Sequence, residues 1–223
     1  MEWIMQYREL LYKNALKTIE QIYTESKYNP DVDLYRSFDI INSVNENQFA
    51  SKEWLTDKLL PFIIDNRSDI NDICVLGSWY GLTSFLLRER LTPMNIRPHI
   101  HNVDIDPETR RLAKQLMDGM DMSRTHFIIE DAEQWAIDNV RKCDIIINTS
   151  IEHMDPIDVR LITSRKNPNA MVCFQGNNYH VIQSHINTHD SLDEFVESLH
   201  LTRVKWSGEL ETERYTRYMV IGI

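Results

Sequence analysis

From residue 70 onward, short apolar runs alternate with segments of helical periodicity. Five runs have four or five residues: Ile73–Leu76, Ile100–Asp104, His126–Ile129, Asp144–Ile147 and Ala170–Phe174. Strands of a parallel sheet are buried on both faces and carry such nearly uninterrupted apolar runs. Helices are predicted between them at 83–91, after Asp106-Pro107 with Asp106 as N-cap, around Trp135 and near 156–164. The pattern predicts an α/β fold, with helices on both faces of a mostly parallel sheet.

The end of the chain breaks this alternation. Two strand-like runs, Leu201–Trp206 and Tyr215–Ile221, have no helical pattern between them, and Ser207-Gly208 is a turn signal. An antiparallel terminal hairpin is therefore predicted to close the sheet.

The first 69 residues have a different pattern. Residues 2–24 show one apolar helical face, made of Ile4, Tyr7, Leu11, Ala15, Ile19 and Ile22. A stop follows near Tyr28-Asn29-Pro30, and residues 31–50 are polar and irregular. A second helix is predicted from Ser51, as N-cap, through Leu59, with Pro61 ending the pattern. We predict an N-terminal helical cap over 1–69, which is a packing extension, and one main domain over 70–223.

Composition narrows the class of protein. Of 223 residues, 42% are hydrophobic and 26% charged, which excludes a coiled-coil rod or a wholly disordered chain. There is no apolar run of the roughly 20 residues that a membrane span needs, and the charged start MEWIMQYREL does not resemble a signal peptide. Cys74, Cys143 and Cys173 form no CxxC pair and are expected to be reduced core residues in the cytoplasm. The net charge of −10 argues against general nucleic-acid binding.

The residues after each strand are candidates for a ligand site, because ligands of open α/β sheets bind at the carboxyl ends of the strands. Gly77-Ser78-Trp79-Tyr80-Gly81 follows the first strand and is not a GxGxxG motif, because Trp79 stands where a dinucleotide fold has glycine. Asp104 ends the second strand, and its two oxygens could accept from both hydroxyls of a ribose. Glu130-Asp131-Ala132 ends the third. Asp131 and the Ala132 N–H could contact an adenine, or Asp131 could simply cap the following helix.

The stretches VLGSWYG, VDID, EDAEQW and CDIIINTSIEHM, with the terminal hairpin, resemble class I S-adenosylmethionine-dependent methyltransferases over about residues 48–223. The resemblance implies a Rossmann-like seven-stranded sheet, S-adenosylmethionine (SAM) as cofactor and S-adenosylhomocysteine as product. It implies cofactor contacts at Gly77, Ser78, Trp79, Gly81, Asp104, Ile105, Asp131, Ala132 and Asn148. Asn148 would end the fourth strand near the methyl group. The pair Trp79-Tyr80 departs from the usual glycine loop.

The chain also resembles a group of such proteins carried by tailed bacteriophages. The stretches that carry this resemblance are SKEWL, GSWYG, NTSIEHM, QGNNY and GEL…YTRYMVIG.

Methyl transfer from a sulfonium is an in-line displacement that needs a base only when the acceptor is protonated. Asn148, Glu152 and His153 follow the fourth strand, where such a base is expected, and a histidine suits proton removal near neutral pH. His153 could instead hydrogen-bond the loop. After the fifth strand, a group of polar residues could orient an acceptor or build a polar turn. These residues are Gln175, Asn177, Asn178 and Tyr179.

The acceptor is predicted to be a small molecule or nucleotide, methylated at oxygen or nitrogen. The loop after the fourth strand lacks the Asn/Asp-Pro-Pro-aromatic motif of DNA adenine enzymes, and no cysteine follows a proline as in cytosine-C5 enzymes. The basic cluster Arg160, Arg165 and Lys166 leaves a nucleic-acid acceptor open. The alternatives are a non-catalytic SAM-binding module, another SAM reaction such as cofactor cleavage, and an NAD-dependent oxidoreductase.

Two further groups of polar residues have weaker support. Gln48, Lys52, Tyr35 and Arg36 of the cap could reach the cofactor or acceptor, with surface solvation as the alternative. His180, His185 and His189 suggest a metal site, but Asn187 and Thr188 favour a loop over a helix there. We therefore expect no metal.

Overall fold

A computed structural model describes residues 2–66 and 68–223, with side chains from residue 7 onward. The seven strands are β1 Asp72–Leu76, β2 His99–Asp104, β3 Thr125–Ile129, β4 Ile145–Asn148, β5 Met171–Asn177, β6 Val204–Glu211 and β7 Thr216–Gly222. They form one sheet in the order β3-β2-β1-β4-β5-β7-β6. The neighbours from β3 to β5 pair in parallel, whereas β7 is antiparallel to both β5 and β6. The predicted fold class is confirmed.

Helices cover both faces of this sheet. In the described residues they are α1 Glu2–Ser26, α2 Arg36–Ser43, α3 Glu46–Asp65, α4 Leu82–Leu91, α5 Thr109–Leu116, α6 Ala132–Asn139, α7 Pro156–Arg165 and α8 Leu192–Ser198. Side chains of α3 and α4 pack on one face of the sheet, and those of α6, α7 and α8 on the other. A third apolar cluster joins α1, α2 and α5 to α4. Cys74, Cys143 and Cys173 are buried free thiols, as predicted.

The terminal hairpin turns later than predicted. Ser207 and Gly208 lie inside β6, paired with Val220 and Met219. A Cβ at position 208 would come within 2.7–2.8 Å of the Trp206 ring, so this glycine makes room for an aromatic side chain within the strand. The turn itself lies at 212–215, where the Thr212 N–H donates to the Tyr215 carbonyl (3.0 Å).

The N-terminal segment is more helical than predicted. Helix α2 forms within the polar region 31–50, and α3 begins at Glu46 because the Asn45 side chain accepts from the Gln48 N–H at 2.9 Å. Ser51 is therefore not an N-cap but a buried residue inside α3, and α3 continues through Pro61. Similarly, α5 begins at Thr109, and Asp106 forms a turn before it by accepting from the Glu108 N–H.

The predicted inner face of α1 is confirmed where its side chains are described. Leu11, Ala15 and Ile22 are buried, and Ile4 lies outside the residues whose side chains are described. The apolar face of α3, at Leu55, Leu59 and Ile63, packs in the same cluster as strands β1, β4, β5 and β7. The division at residue 69/70 remains a prediction. In the described parts of the chain, we find no helix with the length and apolarity that crossing a bilayer requires.

The position of a ligand site follows from the strand order. Strands β1 and β4 are neighbours, and the chain runs outward from them in opposite directions, to β2 and β3 on one side and β5 on the other. At such a switch point the loops after the strands separate and leave a crevice at their carboxyl ends.

Candidate functional site

Two adjoining cavities occupy the crevice at the carboxyl ends of the strands. The outer hollow, of about 470 Å³, is lined by Gly77, Trp79, Asp104, Ile105, Asp131, Ala132, Glu133, Ser150, His153 and Met154. The inner cavity, of about 120 Å³, is lined by Ser43, Val44, Gln48, Lys52, Gly77, Ser78, Trp79, Tyr80, Leu82, Thr83, Leu116, Met117, Thr149, Ser150, Glu152, His153 and Arg217. Gly77, Trp79, Ser150 and His153 border both.

Asp104 is held by the backbone of its neighbours. Its Oδ2 accepts from the Trp79 N–H at 2.7 Å, and its Oδ1 accepts from the Asp106 N–H at 3.1 Å. Burial raises the pKa of Asp104, and these two backbone N–H groups oppose that rise. Each carboxylate oxygen has a second lone pair. The carboxylate is therefore fixed in orientation and still able to accept from a ligand in the outer hollow.

The loop between β1 and α4 has a backbone that glycine favours. Gly77, Trp79 and Gly81 have φ of +59°, +49° and +81°. A Cβ at Gly77 would lie 3.0 Å from the Ser150 side chain, whose hydroxyl donates to the Gly77 carbonyl at 3.2 Å. A tryptophan at position 79 is disfavoured in this conformation by roughly 1–2 kcal/mol. Its hydrogen bond to Asp104 offsets part of that cost.

Asp131 caps helix α6, which is one of the two roles that the sequence left open for it. Its Oδ1 accepts from the N–H groups of Glu133 and Gln134, both at 3.0 Å, so it is the N-cap of α6. It also lines the outer hollow, together with Ala132. Asp104 and Asp131 therefore border the same hollow from the ends of two adjacent strands.

Glu133 is the third carboxylate at this hollow. Burial, a hydrogen bond with Asp158 and the like charges of Asp158 and Asp131 raise its pKa from 4.5 to about 7. Between these two values the folded protein binds more protons at this site than the unfolded chain does. Folding stability is therefore expected to fall as the pH rises through this interval.

We expect Glu133→Gln to raise the melting temperature more at pH 8 than at pH 5. Only at the higher pH is the Glu133 carboxylate mostly ionised, and the ionised form destabilises the fold. Thermal unfolding followed by circular dichroism at the two pH values measures this difference. The control is Asp138→Asn, an exposed acid on the same helix. An equal effect of Glu133→Gln at both pH values would contradict the prediction.

A buried group of charges forms the far wall of the inner cavity. An Arg217 Nη2 lies 3.6 Å from Oε1 of Glu152, and both side chains are almost fully buried. Arg217 also donates to the Thr149 carbonyl (3.4 Å) and the Tyr215 hydroxyl (3.2 Å). Burial and the charge of Arg217 lower the pKa of Lys52 to about 7, against the opposing effect of Glu152.

Arg217 was not among the residues predicted from sequence, and Lys52 was predicted only as a cap residue that could reach the site. The sequence nevertheless contains an indication for each of them. Arg217 interrupts an apolar strand, and Lys52 shares the helix face of Phe49, Leu55 and Leu59, all of which are buried. A charge on an inner face usually has a buried partner. The partner, however, lies in a distant part of the chain.

Several predicted residues do not line either cavity. Asn148 is buried beneath the loop after β4, donating to the Met154 sulfur and accepting from the Ser150 N–H at 2.8 Å. Gln175 joins the sheet to α3, accepting from the Ser51 hydroxyl at 3.0 Å. Asn177 and Asn178 accept from the N–H groups of Tyr179 and Thr216. Gln175 and Asn177 therefore lie within β5, which is longer than predicted, and Asn177 and Asn178 order the turn that follows it.

The cap residues divide into two groups. Gln48 and Lys52 line the inner cavity. Arg36 instead forms a bidentate ion pair with Asp106, close to Asp104, and Tyr35 is exposed. Of the basic cluster, Lys166 lies at the opposite edge of the sheet, where its Nζ donates to the Ala170 carbonyl just before β5 (2.9 Å).

No protein-family model matches the chain, and no curated protein sequence matches it. Solved structures match its fold. A SAM-dependent methyltransferase from Agrobacterium tumefaciens superposes with a TM-score of 0.54 at 15% identity, over 78% of this chain and 61% of that one. The magnesium protoporphyrin IX methyltransferase of Synechocystis PCC 6803, solved with bound SAM, gives 0.54 at 12% identity, over 80% and 82%.

A third similar structure, MtNAS in complex with MTA and tNA, covers 96% of this chain and 70% of its own, with a TM-score of 0.52 at 14% identity. The chain has the fold of class I SAM-dependent methyltransferases. It spans 61% of the length of the Agrobacterium chain.

Proposed function

We propose that this protein is a SAM-dependent methyltransferase that transfers a methyl group to an oxygen or nitrogen of a small molecule or nucleotide. The observation that carries the proposal is the outer hollow at the switch point, which is bordered by Asp104 and Asp131 and shares four lining residues with a second, charged cavity. The fold shared with methyltransferase structures supports it.

The outer hollow suits an adenosine. Asp104 would accept from the ribose hydroxyls through its remaining lone pairs, with Ile105 beside it. The Oδ2 of Asp131 and the Ala132 N–H would contact the adenine. Gly77, Ser78 and Gly81 would pass close to the methionine part, and Trp79 would border both parts. The left-handed backbone at 77, 79 and 81 supports this assignment, because it makes the loop compact where a ligand would approach.

SAM supplies the electrophilic methyl group and a good leaving group. The chain itself would align the acceptor with the methyl group, and such positioning can contribute about 7–11 kcal/mol. His153 borders both cavities, where the methyl group and acceptor would meet. Its Nε2 or the Glu152 carboxylate is proposed to take the acceptor's proton when the acceptor carries one. Asn148 would act only by shaping the loop that presents them.

The cysteines bear on the cellular compartment in which the protein acts. The buried free thiols favour a reducing compartment, and we propose that the protein acts in the cytoplasm. The resemblance to a phage-borne group of methyltransferases remains a prediction from the sequence stretches that carry it.

Calorimetric titration of the full chain with SAM, S-adenosylhomocysteine and NADH tests the proposal. We expect micromolar-range binding of the two sulfur nucleosides and none of NADH, because Trp79 stands where a pyrophosphate-binding loop has glycine. Absence of SAM binding would refute the proposal. Binding without methyl transfer to any acceptor would indicate a non-catalytic module, and cleavage of SAM without an acceptor would indicate another SAM reaction.

A further inference from the structure

Glu152, His153 and His185 come together beside the inner cavity. One potential ligand atom from each residue lies within 4.8 Å of the others. The two imidazole rings meet edge to face, with centroids 4.7 Å apart. His185 is thus paired with the loop after β4, and not with His189, the residue at helical spacing from it. Two of the three residues, Glu152 and His153, come from outside the histidine-rich stretch 180–189.

Hydrogen bonds fix which nitrogen of each histidine is available. Nδ1 of His153 lies 3.1 Å from the Ser184 carbonyl, and Nδ1 of His185 lies 2.8 Å from the Tyr179 carbonyl. A carbonyl oxygen can only accept, so each Nδ1 carries the proton, and each neutral ring keeps its lone pair on Nε2. Metal-binding histidines usually show this arrangement, with the second nitrogen donating to a carbonyl or carboxylate.

The carboxylate of the group has an unused oxygen. The Glu152 side chain is 6% exposed, and its Oε1 faces Arg217. Its Oε2 is buried without a hydrogen-bond partner among the described residues. An unsatisfied buried acceptor costs about 1–3 kcal/mol, and more when it is charged. A cation bound at Oε2 would remove that cost, while Arg217 would continue to orient the carboxylate from the other side.

The backbone holds the two loops in register. The Glu152 carbonyl accepts from the N–H groups of Ile186 (2.8 Å) and Asn187 (3.2 Å). Together with the bond from His153 to the Ser184 carbonyl, these contacts fix the segment that carries His185 against the segment that carries the other two residues. The cluster is therefore organised by the fold and not by chance approach of mobile side chains.

We propose that Glu152, His153 and His185 form a binding site for a divalent transition-metal cation, with Zn²⁺ as its representative. Two histidines and a glutamate, with an open fourth position, are a known ligand set of catalytic zinc sites. Ligand atoms of a tetrahedral zinc site with ~2.1 Å bonds lie roughly 3.4 Å apart. The cluster, whose ligand atoms lie within 4.8 Å of one another, would therefore contract when the cation binds. With Zn²⁺ bound, the cation and its three protein ligands carry a net charge of +1, and Lys52 and Arg217 lie nearby. The open position therefore favours an anionic ligand.

The consequence for the substrate rests on the proposed function. Glu152 and His153 line the inner cavity, where the acceptor would bind. An acceptor with an acidic hydroxyl would complete the coordination through that oxygen, after its proton has passed to the solvent. His153 would then be a metal ligand, and the cation would take over the task of making the oxygen nucleophilic.

The test uses the full chain after treatment with a chelator. It is titrated with Zn²⁺ by calorimetry and with Co²⁺ by visible absorption. We expect one equivalent to bind, and we expect His185→Ala to weaken binding by at least ~10-fold, since it removes one of three ligands. The matched control, His180→Ala, lies in the same loop outside the cluster. A second control, His126→Gln, disrupts the stacked histidines His99, His101 and His126 on strands β2 and β3. Both controls should bind like the unchanged chain.

Weak or non-stoichiometric binding by the unchanged chain would overturn the proposal, as would equal losses in His185→Ala and His180→Ala. If His185→Ala does not fold, the exposed His153→Gln replaces it with the same expectation. Titration of the unchanged chain with SAM separates the two proposals. SAM binding without stoichiometric Zn²⁺ binding refutes only the metal site, and Zn²⁺ binding without SAM binding refutes only the proposed function.

Discussion

Replacing Asp104 by alanine is expected to weaken SAM binding by roughly 100-fold or more. Hydrogen bonds to a charged group contribute about 1.5–3 kcal/mol each, and the carboxylate is placed to accept from two ribose hydroxyls. The change also removes the acceptor of the Trp79 N–H, which holds the β1 loop in its left-handed conformation. Loss of ligand contacts and loss of loop order act in the same direction.

Calorimetry on Asp104→Ala, Asp104→Asn and Glu130→Gln measures the effect. The asparagine variant keeps the shape and one acceptor oxygen, so its loss should be intermediate. Glu130→Gln removes the same charge from a residue that does not line either cavity and should bind SAM like the unchanged chain. An Asp104→Ala affinity within threefold of the control would show that the ribose is held elsewhere.

Replacing Arg217 by methionine is expected to lower the free energy of unfolding by about 3–5 kcal/mol. The change leaves the buried Glu152 carboxylate without its guanidinium partner. Removing one partner of a buried ion pair typically has an effect of this size. The hydrogen bonds to the Thr149 carbonyl and the Tyr215 hydroxyl are lost as well.

Urea unfolding followed by tryptophan fluorescence and circular dichroism measures this change. The double variant Arg217→Met/Glu152→Gln should recover part of the stability, because the uncompensated charge is gone. Arg214→Met, at an exposed position in the hairpin turn, is the matched control and should change little. A loss below 1 kcal/mol for Arg217→Met would mean that water already solvates Glu152.

The strands, and the acidic residues that follow two of them, could be predicted because both depend on local sequence pattern. Asp104 and Asp131 were expected close together because the carboxyl ends of adjacent parallel strands meet at one edge of the sheet, and both border the outer hollow. Ser207-Gly208 was misjudged as a turn, because a glycine that accommodates the Trp206 ring looks the same in sequence as one that reverses the chain.

The residues that complete the site could not be predicted in the same way. Arg217 meets Glu152 only because β7 inserts between β5 and β6, and His185 meets His153 only because its loop folds back over the end of β4. Asn148 and Gln175 were predicted as site residues, and neither lines a cavity. Polar residues at strand ends can point into the loop or toward a packed helix, and the sequence does not distinguish these directions from the cavity.

The position of Trp79 has a practical consequence. Trp79 borders both cavities, and its backbone N–H donates to the carboxylate proposed to hold the ribose. Filling either space would change the polarity and water contact of this ring. In a variant with the other four tryptophans replaced by phenylalanine, the fluorescence emission of Trp79 should therefore change when a ligand fills either cavity.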